Sequence, residues 1–157
     1  MPKSHDYAAT VTWTGNTGSG TTSFRDFSRD HVVEVAGKPR VEASADAAFL
    51  GDPARLNPED LLVASLSECH LLTYLALCSN SGVVVLSYRD EVRGVMAETP
   101  GGGGRFTEVV LRPEVVVAEE SMFAKAERLH ERAHRDCFIA NSVNFPVRHE
   151  PQITVGS

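Results

Sequence analysis

Along the first fifteen residues apolar and polar positions alternate. Tyr7, Ala9, Val11 and Trp13 fall on one side and Ala8, Thr10, Thr12 and Thr14 on the other, which predicts a half-buried strand over 7–15. The run Asn16-Thr17-Gly18-Ser19-Gly20 is turn material. Further strands are predicted over 21–28 and 31–35, and Gly37-Lys38-Pro39 then breaks the pattern. Residues 41–56 read as loop with short helical pieces. Asn57-Pro58-Glu59-Asp60 opens a helix: Asn57 can cap it, proline suits its first position, and two acids complement its dipole. It should run to about Asn80 and stop at Ser81-Gly82. Leu61, Leu62, Val63, Leu66, Leu71, Leu72, Leu75 and Leu77 make it apolar nearly all round, the mark of a buried helix.

From 83 to 98 alternation returns, with Val84, Leu86, Tyr88, Val92 and Met96 on one face and Arg89, Glu91 and Arg93 on the other. Thr99-Pro100 and four glycines connect this strand to a return strand over 105–117. Without a following Lys-Ser/Thr at a helix start, the glycines read as a flexible turn rather than a phosphate cradle. Residues 119–136 form a second helix whose stripe is Met122, Ala126, Leu129 and Ala133; four residues further lies Cys137, at or just past its end. A last strand covers 145–155. This order of elements predicts an α+β domain, antiparallel sheet packed on two long helices.

The 157 residues fit one domain, 1–157, and a chain of this size buries roughly 70% of its unfolded surface without staples. A net charge of −6 and the absence of any basic run argue against nucleic acid or an anionic membrane as partner. The stretch Leu61–Cys78, interrupted by Glu68 and His70, reads as too short and too polar to span a bilayer comfortably. The first residues lack the apolar core of a signal peptide, so a cytoplasmic location is expected.

Three cysteines, at 69, 78 and 137, are too few and too odd for a secreted disulfide framework. Cys69 sits between Glu68 and His70, two polar residues inside a leucine-rich helix. Either this turn faces a cleft or a partner subunit, or one helix face simply reaches solvent there. Cys78 lies nine residues on, about half a turn away in rotation, and reads as a core residue. Cys69 and Cys137 could meet if the two helices pack side by side. Two chemistries then compete for them. In one, a thiolate becomes a sulfenic acid and a second thiol condenses with it. In the other, Cys69, His70, His134 and Cys137 bind a metal. Adjacent side chains at 69 and 70 diverge by about 100°, and there is no CxxC, which count against the metal.

The stretch Asn57-Pro58-Glu59-Asp60-Leu61-Leu62-Val63-Ala64-Ser65-Leu66-Ser67-Glu68-Cys69-His70 closely resembles the signature of the OsmC/Ohr family of hydroperoxide reductases. A second family motif, a cysteine with Asn four residues later, is matched by Cys137-Phe138-Ile139-Ala140-Asn141-Ser142. The resemblance runs from about Tyr7 to Val155. It implies an OsmC-like fold: an intertwined homodimer, antiparallel sheets around two long central helices, active sites at the subunit interface. It also implies that Cys69 attacks an organic hydroperoxide, that Cys137 resolves it as a disulfide, and that an external dithiol, often lipoyl-based in the family, restores both thiols. No bound cofactor is required, and no metal. In peroxidase members an arginine, held by the glutamate of Asn-Pro-Glu, steadies the thiolate. Glu59 matches that glutamate, and Arg25 is preferred over Arg29 as the arginine. Phe138 replaces the proline of several members, and His70 stands where they often have Phe or a small residue.

Two readings of function follow. One is a thiol peroxidase for organic hydroperoxides, with hydrogen peroxide as a second candidate. The other is a non-catalytic dimeric module on the same fold that senses redox state or binds a small ligand.

Overall fold

The computed structural model describes residues 1–157, which form two compact units, Met1–Leu61 and Leu62–Ser157.

The first unit holds an antiparallel sheet in the order β1 (Thr10–Trp13), β2 (His31–Glu34), β3 (Val41–Ala43). β1 is shorter than its alternation suggested, and all four of its residues are exposed, so within this unit it has no buried face. Residues 21–28 form no strand. The Arg29 guanidinium donates to the carbonyls of Phe24 and Phe27 and lies 3.9 Å over the Phe27 ring. Those contacts curl the segment back on itself and keep its carbonyls out of a ladder. β3 falls where the sequence predicts loop; the 3-10 turn Ala47–Phe49 after it matches the short helical piece.

Helix α1, Pro58–Asn80, begins where the cap predicts. The Asp60 N–H donates to Asn57 Oδ1 at 2.8 Å and the Asn57 N–H donates to Asp60 Oδ2 at 3.2 Å, a reciprocal capping box. At the other end Gly82 takes φ 74°, and the Val83 N–H reaches back to the Cys78 carbonyl at 2.9 Å. This left-handed residue closes the helix as a Schellman turn, a backbone shape glycine adopts without penalty. α1 is more apolar than its sequence reading allowed. By length and composition alone it could cross a membrane, with a mean hydropathy of 1.6 in its most apolar window.

In the second unit each long predicted strand is two. β4 (Val85–Asp90) and β5 (Arg93–Glu98) part at Glu91-Val92, and β6 (Gly104–Leu111) and β7 (Pro113–Val117) part at Arg112. The last strand divides at Glu150-Pro151 into β8 (Val147–His149) and β9 (Gln152–Val155). The halves form separate sheets, β4-β7-β9 and β5-β6-β8. Asp90 stands at the break: one oxygen accepts the Arg112 N–H at 2.6 Å and the other accepts the Ser67 hydroxyl. Prolines at 113 and 151 lack the N–H that an unbroken ladder would use. The sheets are mixed rather than antiparallel, because β8 and β9 join β6 and β7 in parallel. A bulge between Val85 and Ser87 turns Val85 and Tyr88 to the core and leaves Val84 and Leu86 exposed, where strict alternation had put Val84, Leu86 and Tyr88 together.

Helix α2, Phe123–Asp136, follows a 3-10 turn at Glu120–Met122 and presents the predicted stripe. Ala126, Leu129 and Ala133 pack with Tyr74 and Cys78 of α1 and Val115 and Val117 of β7, and Met122 borders them. A second cluster joins Leu66 of α1 to Val109 and Leu111 of β6 and Val147 of β8. α1 is therefore docked by one face, Leu66, His70, Tyr74 and Cys78. Replacing Asn57 with Ala should lower unfolding stability by about 1 kcal/mol with an unchanged denaturant slope. A urea titration in which the midpoint does not move would show that the capping box contributes nothing to α1.

Candidate functional site

Burying Leu66, His70, Tyr74 and Cys78 rotates Cys69 to the margin of the buried face, about 100° round the helix from His70. Its side chain is half-buried. Cys137 ends α2 as its C-cap, with an extended backbone (φ −69°, ψ 118°) that takes its thiol off the helical track. It is 1% exposed. The two thiols are free and close enough for Cys69 to influence the ionisation of Cys137. Burial, and after it the neighbouring Cys69 thiol, pushes the Cys137 thiol up to about 11; the backbone N–H groups of Ala140 and Ile139 pull the other way. The Ala140 N–H lies 3.5 Å from Cys137 Sγ.

Cys78 is buried in the cluster between α1, α2 and β7. Burial pushes its thiol up, and the Tyr74 hydroxyl opposes that shift. It faces away from Cys69, as the nine-residue spacing predicts.

His70 faces neither a cleft nor solvent. It is 1% exposed, and its Nε2 lies 3.0 Å from Nδ1 of His130 on α2, itself fully buried. His130 stacks on Tyr74 with ring centroids 3.9 Å apart. His149 of β8 approaches both rings, His134 lies beside His149, and His149 Nε2 is 3.1 Å from Glu131 Oε1. Four of the six histidines thus converge between two helices and a strand. The sequence pattern singles out neither His130 nor His149. The available signal was His130 itself, one position from Leu129 in the apolar stripe and four from His134. No three His, Cys, Asp or Glu side chains are arranged to hold a metal ion. The set Cys69, His70, His134 and Cys137 is split between a thiol pair and an imidazole cluster.

Glu59 lies half-buried in the first turn of α1, and Arg25 is exposed; neither enters an ion pair. Arg29 is engaged by Phe24 and Phe27.

The fold thus places a half-buried mid-helix thiol on α1 near a buried thiol at the end of α2. The family model for OsmC-like proteins matches residues 51–152, and the chain belongs to that family. Among solved structures, an OsmC-like protein of unknown function from Vibrio cholerae O1 biovar eltor is 34% identical, with a TM-score of 0.84 over 95% of this chain and 100% of its own. An organic hydroperoxide resistance protein from Elizabethkingia anophelis shares the fold, with a TM-score of 0.71 at 18% identity over 99% of this chain and 100% of its own. Among curated proteins, YmaD of Bacillus subtilis, itself uncharacterized, is 25% identical over 105 residues, 64% of this chain and 69% of that one.

The histidine pair carries a stability signature. Burial, with the neighbouring histidines adding to it, pushes His70 down to about 4 and His130 down to about 3. In the unfolded chain both rings take up protons near pH 6.5. Below that pH the unfolded state binds more protons than the folded one. Stability is therefore full above about 6.5 and declines as the pH falls towards the folded-state values. The urea midpoint should drop between about pH 7.5 and about pH 5, and the double variant His70→Phe, His130→Leu should flatten that drop. A wild-type midpoint constant across this window would mean that the rings are not held neutral by the fold.

Proposed function

We propose that the protein is a thiol-dependent peroxidase that reduces organic hydroperoxides through Cys69 and Cys137. The observation that carries this reading is the proximity of a half-buried thiol on α1 to a buried thiol at the end of α2. The fold shared with proteins named for organic hydroperoxide resistance supports it.

In this scheme the Cys69 thiolate attacks the outer oxygen of the peroxide, the O–O bond breaks, and the alcohol leaves with a proton. Cys69 is left as a sulfenic acid. Cys137 displaces water from it and closes a disulfide. An external dithiol reopens that bond by thiol–disulfide exchange. Arg25 is assigned to steady the Cys69 thiolate, with Glu59 as its anchor. Support for Arg25 over Arg29 comes from the engagement of Arg29 with its own loop.

The working form is proposed to be a homodimer in the cytosol, where thiols are kept reduced. In support of the dimer, Leu61, Leu72 and Leu75 of α1 remain exposed, Leu72 by 65%. Exposed leucines clustered on one helix are the kind of surface that association covers.

The test is peroxide consumption by the purified protein with cumene hydroperoxide and dihydrolipoamide, wild type beside Cys69→Ser and Cys137→Ser. Wild type should consume peroxide and Cys69→Ser should not. Cys137→Ser should stall after one turnover, with Cys69 over-oxidised. Full activity in Cys69→Ser would overturn the mechanism. Inactivity of wild type would leave a redox-sensing or ligand-binding module on the same fold.

A further inference from the structure

Asn141 belongs to the second motif and has no part in the scheme above. Its side-chain amide uses both hydrogens on the end of α2, donating to the carbonyls of Arg135 and Cys137 at 2.9 Å each. Its backbone N–H donates to the Cys137 carbonyl as well, at 3.1 Å. Carbonyls in the last turn of a helix have no partner within it, and Asn141 supplies one. The Ser142 hydroxyl donates to the Phe138 carbonyl at 2.7 Å, and the Ser142 N–H to that of Ile139 at 3.0 Å. The loop is thus tied back onto the helix end at several points. The consequence is at the sulfur: the Ala140 N–H points at Cys137 Sγ from 3.5 Å, and the Ile139 N–H beside it favours charge there. Successive backbone N–H groups curled round one acceptor form a concavity suited to an anion. Here the anion is the thiolate that a resolving cysteine must become, in a place where burial opposes it.

We propose that residues 139–141 form a thiolate nest for Cys137. Asn141 is its positioning residue, holding the Ile139 and Ala140 N–H groups on the sulfur whenever that sulfur carries charge. The place of the nest in a turnover rests on the peroxidase reading. On closure, Cys137 gives up its proton and its sulfur attacks Cys69 Sγ. The S–S bond forms, the S–O bond of the sulfenic acid breaks, and the departing hydroxide takes up a proton to leave as water. On reopening, a sulfur of the external dithiol attacks Cys69, the more accessible of the two. The electron pair of the S–S bond then returns to Cys137 in the nest.

The experiment uses dithiobis-nitrobenzoate on the full-length reduced protein, without peroxide. Attack by Cys69 releases one thionitrobenzoate, and expulsion of the second by Cys137 reports ring closure alone. In Asn141→Ala and Asn141→Asp the second release should slow roughly tenfold while the first keeps its wild-type rate, because closure depends on the thiolate fraction of Cys137. The acid limb of the second step should move to higher pH, a displacement that general loosening of the fold does not predict. A second release at the wild-type rate, or both releases slowed together with no change in pH profile, overturns the proposal. If neither Asn141 variant folds by circular dichroism, Ser142→Ala serves. It loosens the same loop and should slow only the second release, and an unchanged rate there also overturns the nest. Because no peroxide is used, a wild type inert to cumene hydroperoxide would sink the peroxidase reading without touching this result.

Discussion

The docking of α1 by a single stripe, Leu66, His70, Tyr74 and Cys78, is the contact on which the rest of the second unit depends. Residues four apart on a helix advance by about 40° each, so such a stripe winds slowly and can meet two different surfaces. Its N-terminal end, Leu66, enters the cluster of β6 and β8, and its C-terminal end, Tyr74 and Cys78, enters that of β7 and α2. One helix thereby joins two sheets that share no ladder. The same rotation decides where Cys69 stands. Had the buried face been centred one residue earlier, Cys69 would be core and closed to any reagent. Centred as it is, the thiol sits at the edge of the docked face, next to the end of α2.

The polar member of that stripe is harder to account for by packing alone. His70 and His130 share one close contact, yet Nδ1 of His70 and Nε2 of His130 are buried without partners. In either tautomer one of these atoms is an unpaired donor and the other an unpaired acceptor. An apolar pair of similar volume would avoid that penalty. Stacking on Tyr74, whose own hydroxyl donates to the Ala126 carbonyl at 2.9 Å, offsets part of it. The pair also fixes register. A slide of α2 by one residue would strand both rings, whereas leucines would tolerate it. The polar contact thus trades stability for a defined position of α2, and with it of Cys137.

Helices were legible in the sequence because their signals are local. Asn57, Pro58 and Asp60 mark the start of α1 within four residues, Gly82 marks its end, and the α2 stripe repeats within a few turns. The strands were less so. Alternation shows that a segment is extended, and it is blind to which sheet the segment joins. Val83–Glu98 therefore read as one strand although Asp90 bonds to Arg112 and Ser67 and divides it. Parallel pairing of β8 and β9 is set by partners far away in sequence, with only Pro151 as a local hint. At 21–28 a strand is expected, but an arginine two to five residues away captures the carbonyls. The site shows the same division. Cys69 and Cys137 follow from motif and spacing, whereas the histidine cluster depends on three elements converging. The fold is that of the family, and with 34% identity to a structure of TM-score 0.84 the resemblance carried it well.

The three cysteines share a side chain and differ in what the fold lets each do. Cys78 is enclosed by apolar neighbours and by Tyr74, with no second thiol in contact. Cys137 is as buried as Cys78, 1% exposed each, but it has a second thiol nearby and the Ala140 N–H 3.5 Å from its sulfur. Cys69 alone reaches the margin. Burial by itself makes a thiol inert, because it disfavours the thiolate. What separates Cys137 from Cys78 is therefore the way its helix ends. A helix C-terminus leaves only carbonyls unpaired, and the chain that runs on past it carries N–H groups the helix has not spent, here that of Ala140 at the sulfur. Placing the second thiol at the C-cap, with a tied loop beyond it, keeps that sulfur shielded from solvent while leaving it a means to carry charge. A cysteine within α2 would have had the shielding without the donors.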